Sequence, residues 1–295
     1  MIALGASFPQ TEIGADPAVI REWTLAVEEM GFGYILAYDH VLGARPGHPA
    51  LVGSRFGFTS KSMVHEPLVL FGYIAALTRR VELVSGILIL PQRQTAVVAK
   101  QAAEVDVLSG GRLRLGVGLG WNSVEFEALG EEFHTRARRM EEQIEVLRLL
   151  WTEELVTFHG RWHTINDAGL NPMPVQRPIP IWFGAEDDRA LERVGRLGDG
   201  WIALGRPDEA TERRVRLVRQ SAERAGRDPA AIQLVGGIGS RSGPTPDDWR
   251  RDLDAWRRLG ATHLTVNTMN AGHPNVAAHL EALDRVRRAL GPQLG

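Results

Sequence analysis

The feature that most constrains the fold of this chain is an apolar β-like run followed by an amphipathic helix, repeated eight times. The eight β-like runs span residues 2–8, 34–38, 81–90, 113–117, 180–183, 201–204, 232–238 and 263–266. Eight such units fill a closed barrel of parallel strands, so we predict the α/β class and a TIM (β/α)₈ barrel formed by residues 1–295 as a single domain. A doubly wound open sheet is the alternative, and the absence of a second-domain linker disfavours it.

Local signals define some helix ends, and two long segments interrupt the alternation. Asp16 and Pro17 are typical of a helix start, and the Gly110-Gly111 pair is typical of a helix end. Residues 41–66 and 152–178 exceed the usual connection length and are expected to be insertion loops. The first loop follows the second strand, so it should lie over the barrel mouth as a lid or substrate wall. A surface insertion or a subunit contact is the alternative.

Charge and composition exclude several classes of function. The chain has 34 Lys and Arg against 36 Asp and Glu, so no basic surplus is present to bind nucleic acid or an anionic membrane. It contains no cysteine, which excludes disulfides, thiolate metal sites and cysteine nucleophiles. The N-terminal residues MIALGASFP are typical of a first strand rather than a signal peptide, and no apolar run is long enough to cross a membrane. We therefore expect a cytoplasmic protein whose partner is a small-molecule substrate.

Active sites of TIM barrels lie at the carboxyl ends of the strands, so the residues there are the candidates. Glycines dominate these positions, and glycine lets the backbone approach a flat ring or a phosphate. A role limited to fitting the crowded rim is the alternative. The residues at or just after the predicted strands include Ser7, Asp39, His40, Gly86, Ile87, Gly118, Gly120, Trp121, Asn122, Gly184, Ala185, Glu186, Gly205, Arg206, Gly236, Gly237, Gly239, Asn267 and Asn270.

Two of these candidates carry recognisable chemistry. Asp39 and His40 form an Asp-His pair at a strand end, where a histidine can relay a proton or serve a structural role held by its neighbours. The run from Gly116 to Gly120 has the spacing GxGxG rather than GxGxxG, so it is a weak signal for dinucleotide binding and a better one for a close-approach loop.

Other catalytic signatures are weak or missing. His159 and His163 are four residues apart, but Gly160 lies between them and no carboxylate triad is nearby, so we predict no metal site. A metal-dependent barrel hydrolase is the runner-up enzyme class, and only His40 and Asp39 fit it. Neither a GxSxG elbow nor a P-loop is present.

Three long segments resemble the bacterial luciferase-like superfamily, and within it the coenzyme F420-dependent oxidoreductases. They are MGFGYILAYDHVL, ILILPQRQTAVVAKQAAEVDVLSGGRLRLGVGLGWNSVEFEALG and NPMPVQRPIPIWFGAEDDRALERVGRLGDGWIAL. With the order between them they cover most of residues 1–205. The last third of the chain carries little of this signal.

The resemblance implies roles for specific positions. It places the ring of the coenzyme against a non-proline cis peptide bond at Gly86-Ile87. It places the coenzyme phosphate near the loops after strands four and five, at Gly118, Gly120, Gly184, Ala185 and the backbone of Glu186. His40 matches the histidine near the reacting ring, and Asp39 would contact the ring or orient His40. Trp121 and Asn122 lie where family members contact coenzyme or substrate, and the oligomer that the resemblance implies is a homodimer.

The resemblance leaves two coenzymes open. Members that use FMN tend to carry an arginine in the glycine loop of strand four, where this chain has Leu119, so F420 is favoured over FMN. With F420 the expected reaction is hydride transfer to or from a small organic substrate, with His40 handling the proton. With FMN it is monooxygenation fed by a separate flavin reductase, and Arg206 or Arg93 would replace the missing arginine. A catalytically inactive coenzyme-binding barrel is the non-enzyme alternative.

Overall fold

Strand and helix boundaries follow the predicted alternation. The computed structural model describes residues 2–51, 57–239 and 242–293. The strands are β1 (Ala3–Ser7), β2 (Tyr34–Ala37), β3 (Glu82–Ser85), β4 (Leu88–Ile89), β5 (Leu113–Gly118), β6 (Val156–His159), β7 (Thr164–Ala168), β8 (Ile181–Ala185), β9 (Gly200–Ala203), β10 (Gln233–Ile238) and β11 (His263–Val266). The helices are α1 (Pro17–Glu29), α2 (Pro67–Leu77), α3 (Thr95–Ser109), α4 (Ser123–Ala128), α5 (Arg136–Thr152), α6 (Asp188–Leu197), α7 (Glu209–Arg224), α8 (Pro246–Leu259) and α9 (Val276–Leu290).

The main sheet closes on itself as a barrel. Its strands run in the order β3-β2-β1-β11-β10-β9-β8-β5, and β5 pairs with β3 to complete the ring. Every pairing around this ring is parallel. Because parallel strands all end at the same rim, the carboxyl ends form one mouth. The predicted TIM (β/α)₈ barrel is confirmed, and the open doubly wound sheet is excluded.

The third predicted strand is broken in two. The run 81–90 forms β3 and then β4, and a cis peptide bond joins Gly86 to Ile87 between them. β4 resumes the pairing with β5, with Leu88 opposite Val117. The cis bond that the family resemblance implied is therefore confirmed, whereas the periodicity of the sequence predicted a continuous strand.

The start of α1 and the end of α3 are each fixed by a capping residue. The Asp16 carboxylate accepts the backbone N–H of Ala18 at 2.8 Å, which satisfies one of the free donors at the start of α1. Gly110 closes α3 with φ 70°, a left-handed conformation that glycine adopts without a steric penalty. Both helix boundaries were predicted from these residues.

The long segments differ in structure. Within 152–178, β6 and β7 form an antiparallel hairpin that the sequence analysis did not predict. Its turn is docked on α5, because Glu142 accepts the backbone N–H groups of Arg161, Trp162 and His163. In the predicted lid 41–66, residues 52–56 lie outside the described part of the chain, so the lid stays a prediction.

Two layers of apolar side chains hold the barrel. The larger layer fills the space between the strands and the surrounding helices. The smaller one lies inside the barrel and is built from Tyr34, Leu36, Val84, Trp182, Ile202 and Val235. Among the helices of the described residues, none has the length and apolarity that a membrane crossing requires.

Candidate active site

A cavity of about 340 Å³ opens at the carboxyl ends of the barrel strands. This volume lies within the range of small-molecule sites. The lining includes backbone of five glycines and the ends of β1, β2, β9, β10 and β11. The lining residues are Ser7, Leu36, Tyr38, Gly86, Glu186, Ile202, Ala203, Leu204, Gly205, Arg206, Gly236, Gly237, Ile238, Gly239, Ser242, Asp252, Thr265, Asn267, Met269 and Asn270.

Two of the residues that the resemblance selected, Gly86 and Glu186, line this cavity. Gly86 brings the cis peptide bond to the cavity wall, where the resemblance places the coenzyme ring. The other selected residues lie on neighbouring parts of the rim. Their roles toward a coenzyme stay predictions, and their observed contacts are described next.

The glycines after β5 and β8 make room for isoleucine side chains. A Cβ added at Gly118 would overlap Cδ1 of Ile87, and one at Gly184 would lie 3.0 Å from Cγ2 of the same side chain. Gly120 has φ 69°, and a Cβ there would lie 2.5 Å from Cγ2 of Ile89. These glycines therefore make room for Ile87 of the cis bond and for Ile89 after it, which is the packing role that the sequence analysis gave as the alternative to coenzyme contact.

Asn122 and Ala185 make backbone contacts. Asn122 is fully buried, caps α4 by accepting the N–H of Val124, and donates from Nδ2 to the carbonyl of Leu42 at 3.2 Å. The carbonyl of Ala185 accepts the indole N–H of Trp201 at 3.0 Å. Both residues thus stabilise the rim of the mouth.

His40 is held by a carboxylate and two aromatic rings. Its Nδ1 lies 3.1 Å from the Glu125 carboxylate, its ring stacks on Phe58 with centroids 3.8 Å apart, and Trp121 contacts it edge-on at 5.7 Å. Because a carboxylate only accepts, Nδ1 carries the proton in the neutral ring and Nε2 is left as the basic nitrogen.

Glu125 is a buried residue that sequence reasoning missed. Its carboxylate also accepts the backbone N–H groups of Val41 and Leu42, at 2.7 and 3.1 Å. Burial alone would raise the pKa of Glu125, but the hydrogen bonds from His40 and the two amides lower that pKa below its ordinary value. Glu125 is therefore an anion that fixes both the histidine and the start of the loop after β2.

The Asp39 side chain points toward β4. Its carboxylate accepts the backbone N–H of Ile89 at 2.9 Å and pairs with Arg93 at 2.8 Å. Burial raises the pKa of Asp39, and Arg93 and the amide of Ile89 only partly offset that effect. Arg93 also pairs with Glu66 at 2.9 Å. This geometry gives Asp39 a positioning role for β4, and its predicted contact with the ring or with His40 is not among its hydrogen bonds.

Tyr38 places a phenol in the cavity. Its hydroxyl lies 3.3 Å from Ser7 Oγ and accepts a hydrogen bond from Nδ2 of Asn267 at 3.3 Å. Burial raises the pKa of Tyr38, so the phenol keeps its proton near neutral pH. Ser7 and Asn267 were recognised as strand-end residues, whereas Tyr38 was taken as part of the second strand.

Three positions bear on whether an arginine is present to bind FMN. Leu119, at the position where the resemblance implies arginine for FMN-using members, is half-buried and packs against the larger apolar layer. Arg93 is engaged by Asp39 and Glu66. Arg206 lines the cavity and is exposed.

The two histidines of HGRWH have separate surroundings. His159 is exposed at the end of β6. His163 pairs with Glu142 at 2.8 Å and lies 2.6 Å from Thr95 Oγ1. In the described ranges, no three His, Asp or Glu side chains come together in a metal-binding arrangement. His163 instead helps to dock the β6–β7 hairpin.

Comparisons with known proteins agree on a family. A profile described as luciferase-like monooxygenase matches residues 1–291. The chain is 36% identical over 171 residues to an uncharacterized protein of Mycobacterium tuberculosis, a match that covers 58% of this chain and 59% of that protein. The chain thus matches less than two thirds of the length of that relative.

Named relatives use two different coenzymes. An F420-dependent glucose-6-phosphate dehydrogenase of Segniliparus rotundus is 30% identical over 243 residues, covering 79% of this chain and 67% of that protein. An FMNH(2)-dependent dimethylsulfone monooxygenase of Pseudomonas putida is 35% identical over 162 residues, covering 54% and 44%.

A solved structure shares the fold across the chain. It is an F420-dependent secondary alcohol dehydrogenase in complex with an F420-acetone adduct, and it matches with a TM-score of 0.77. The match covers 98% of this chain and 99% of that one at 18% identity. At this identity the likeness concerns the fold alone.

Proposed function

This chain belongs to the luciferase-like monooxygenase family, and from that premise we propose that it is a coenzyme F420-dependent oxidoreductase acting on a small organic substrate. The observation that carries the choice of coenzyme is Leu119. FMN ends in a phosphate monoester, which carries close to two negative charges at neutral pH and is bound well by an arginine fork. The half-buried leucine at this position offers no such fork.

The mouth of the barrel suits a flat coenzyme. Gly86 and the glycines at the ends of β9 and β10 line a cavity of about 340 Å³, so backbone rather than bulky side chains forms much of its wall. In this proposal Gly86 and Ile87 support the ring. Trp121 and Asn122 lie beside the ring, and the rim around Gly118, Gly120, Gly184, Ala185 and Glu186 holds the phosphate.

The bound deazaflavin supplies or accepts a hydride, and the protein supplies position and proton handling. His40 is suited to the proton, because Glu125 orients its ring and leaves Nε2 as the base. Tyr38 keeps its proton near neutral pH and can donate a hydrogen bond to an oxygen of the substrate in the cavity. Asp39 acts indirectly, by fixing the amide of Ile89 beside the cis bond.

The second candidate is an FMN-dependent monooxygenase, and one observation favours it. Arg206 is exposed and lines the cavity at the end of β9, so its guanidinium is available to an anionic group. In this reading reduced FMN would come from a separate reductase. Arg93 does not support it, because Asp39 and Glu66 already bind that guanidinium.

Equilibrium binding of F420 and of FMN to the purified protein, followed by fluorescence, tests the proposal. We expect F420 to bind at least about tenfold more tightly than FMN, a difference of about 1.4 kcal/mol. Leu119→Arg should reduce or reverse the preference for F420 over FMN. Leu119→Gln adds a polar group without charge and should leave that preference unchanged. Tight binding of FMN alone would overturn the proposal. Binding of neither coenzyme would contradict the assignment of a coenzyme site to this mouth.

A further inference from the structure

An acidic side chain enters the cavity from α8. Trp249, Asp252, Leu253 and Trp256 lie on one buried face of this helix, at helical spacing. The two tryptophans fix the helix against the mouth, because their indole N–H groups donate to the carbonyls of Gly243 and Gly237. Asp252 lies between them and lines the cavity beside the end of β10.

Asp252 differs from the other acidic residues of its helix. Asp247, Asp248 and Asp254 each pair with an arginine three residues later. Three residues after Asp252 the chain has Ala255. Asp252 is 5% exposed, and its Oδ2 is buried without a hydrogen-bond partner within residues 2–51, 57–239 and 242–293. A buried carboxylate without a partner is strongly unfavourable, so a donor from a bound molecule would be stabilised there.

The position of Asp252 in the barrel points to the substrate. β10 lies four strands from β3 in either direction around the ring of eight, so the two strands form opposite walls of the mouth. The cavity extends from Gly86 beside β3 to Asp252 behind β10. A coenzyme ring supported at Gly86 would therefore turn its other face toward the wall that contains Asp252.

We propose that Asp252 and Ser242 form a subsite that binds a protonated amine of the substrate. An ammonium group offers three donors and a positive charge. The Asp252 carboxylate offers acceptors and a negative charge, in a wall to which Gly236, Gly237 and Gly239 also contribute. Ser242 Oγ accepts the N–H of Gly239 at 3.2 Å, which holds the hydroxyl on the same wall. The role as a substrate subsite depends on the proposed function, whereas amine binding does not.

Binding of benzylamine and of benzyl alcohol to the coenzyme-free protein, followed by ligand-observed NMR, tests the subsite. We expect benzylamine to bind the wild type and to bind Asp252→Asn at least about tenfold more weakly, the loss typical of a charge-assisted hydrogen bond. Asp254→Asn removes the same charge from an exposed site of the same helix and should bind benzylamine like the wild type. Equal binding to Asp252→Asn, or equal binding of alcohol and amine, would overturn the proposal.

Thermal unfolding of the same variants provides an independent measurement. Without ligand, Asp252→Asn should keep or raise the Tm, because it removes a buried charge whose Oδ2 has no hydrogen-bond partner among the described residues. A lower Tm than that of the Asp254→Asn variant would show a structural partner for Asp252 and contradict the proposal. F420 binding should be the same in Asp252→Asn and wild type. If the wild type binds benzylamine but not F420, the proposed function fails and the amine subsite stands.

Discussion

His40 is fixed on three sides, by Glu125, Phe58 and Trp121, so its orientation does not depend on substrate. If it handles the proton, His40→Ala should lower kcat by about 10² to 10⁴, the usual contribution of a positioned acid or base. The Kd for F420 should change by less than about threefold, because proton transfer acts on the transition state. Steady-state kinetics with coenzyme titration measures both. His134→Ala, at an exposed position, is the control, and equal activity of both variants would remove His40 from the mechanism.

Gly118 and Ile87 form a coupled pair in the same rim. Gly118→Ala places a Cβ against Cδ1 of Ile87, so the free energy of unfolding should fall by about 1–3 kcal/mol, as in other overpacked cores. Ile87→Val removes that methyl group and should recover part of the loss in the double variant. Urea denaturation of the four proteins gives the coupling energy.

Replacing a control glycine with alanine should raise, rather than lower, the free energy of unfolding. Gly72 lies within α2, and a Cβ added there meets no atom within 4 Å apart from its chain neighbours and the backbone of its own helix. Gly72→Ala should therefore stabilise the protein by about 0.5–1 kcal/mol through helix propensity. Equal destabilisation by both substitutions would mean that Ile87 is not the cause at Gly118.

Strand-end reasoning located the cavity better than it located the individual contacts. Ser7, Arg206 and Asn267 were recognised because parallel strands end at one rim, and all three line the cavity. Glu125 and Asp252 carry no such signal, because each enters from a helix and its role depends on contacts distant in sequence. Of these two residues, only Asp252 differs from its neighbours in the sequence. Asp248 and Asp254 each have an arginine three residues later, whereas Asp252 does not.

At the scale of elements, one carboxylate docks the β6–β7 hairpin. Glu142 of α5 accepts three backbone N–H groups at 2.8–2.9 Å and pairs with His163. Glu142→Gln should lower the free energy of unfolding by about 1.5–3 kcal/mol at pH 7, the range for hydrogen bonds to a charged group. Hydrogen exchange of residues 160–163 should increase most. Glu145→Gln, at an exposed position on the same helix, should leave both measurements unchanged.

The stability that Glu142→Gln removes should itself become smaller at low pH. Burial raises the pKa of Glu142, but the three amides and His163 outweigh it and lower the pKa below the ordinary value of 4.5. The stabilisation is therefore complete above about pH 4.5 and is lost as pH falls through the lower, folded-state pKa. The gap between wild type and Glu142→Gln should shrink below that pH. A gap that stays constant down to pH 3 would show that charge is not its source.

Element boundaries were predictable where one local signal decides them. Asp16 and Gly110 define helix ends through contacts with their immediate neighbours. The hairpin was missed because β6 has four residues and β7 has five, mostly exposed, so no alternating apolar pattern marks them. The break at Gly86-Ile87 is equally invisible to periodicity, because Leu88 and Ile89 remain buried after it.

At the scale of the whole molecule, the barrel was predictable because eight strand–helix units leave few ways to bury every strand. Closure, unlike any single boundary, follows from the number of units and from the parallel connections. The contents of the barrel were not predictable. Trp182, which fills the interior, occupies a position in its strand that resembles those of the outward-facing neighbours Ile181 and Phe183.

The interior layer should determine whether the barrel unfolds as one unit. Trp182 is fully buried, donates to Gln233 Oε1 at 3.1 Å, and occupies space left by Gly200, where a Cβ would meet the indole. The interior layer draws side chains from β2, β3, β8, β9 and β10, so a cavity there weakens five of the eight strands of the ring. Trp182→Leu should lower the free energy of unfolding by about 3 kcal/mol, the lower end for losing a buried tryptophan.

Two probes distinguish a cooperative barrel from a locally loosened one. In urea, far-UV circular dichroism and tryptophan fluorescence should give coincident transitions for Trp182→Leu, both shifted to lower urea. Trp162→Leu changes a half-buried residue of the β6–β7 hairpin. It should change the free energy of unfolding by less than about 0.5 kcal/mol. Separated transitions in Trp182→Leu would mean that part of the ring keeps its structure without the interior layer. The opposite walls of the cavity, at Gly86 and at Asp252, would then lose their support before the barrel unfolds, and coenzyme binding should fail at the first of the two transitions.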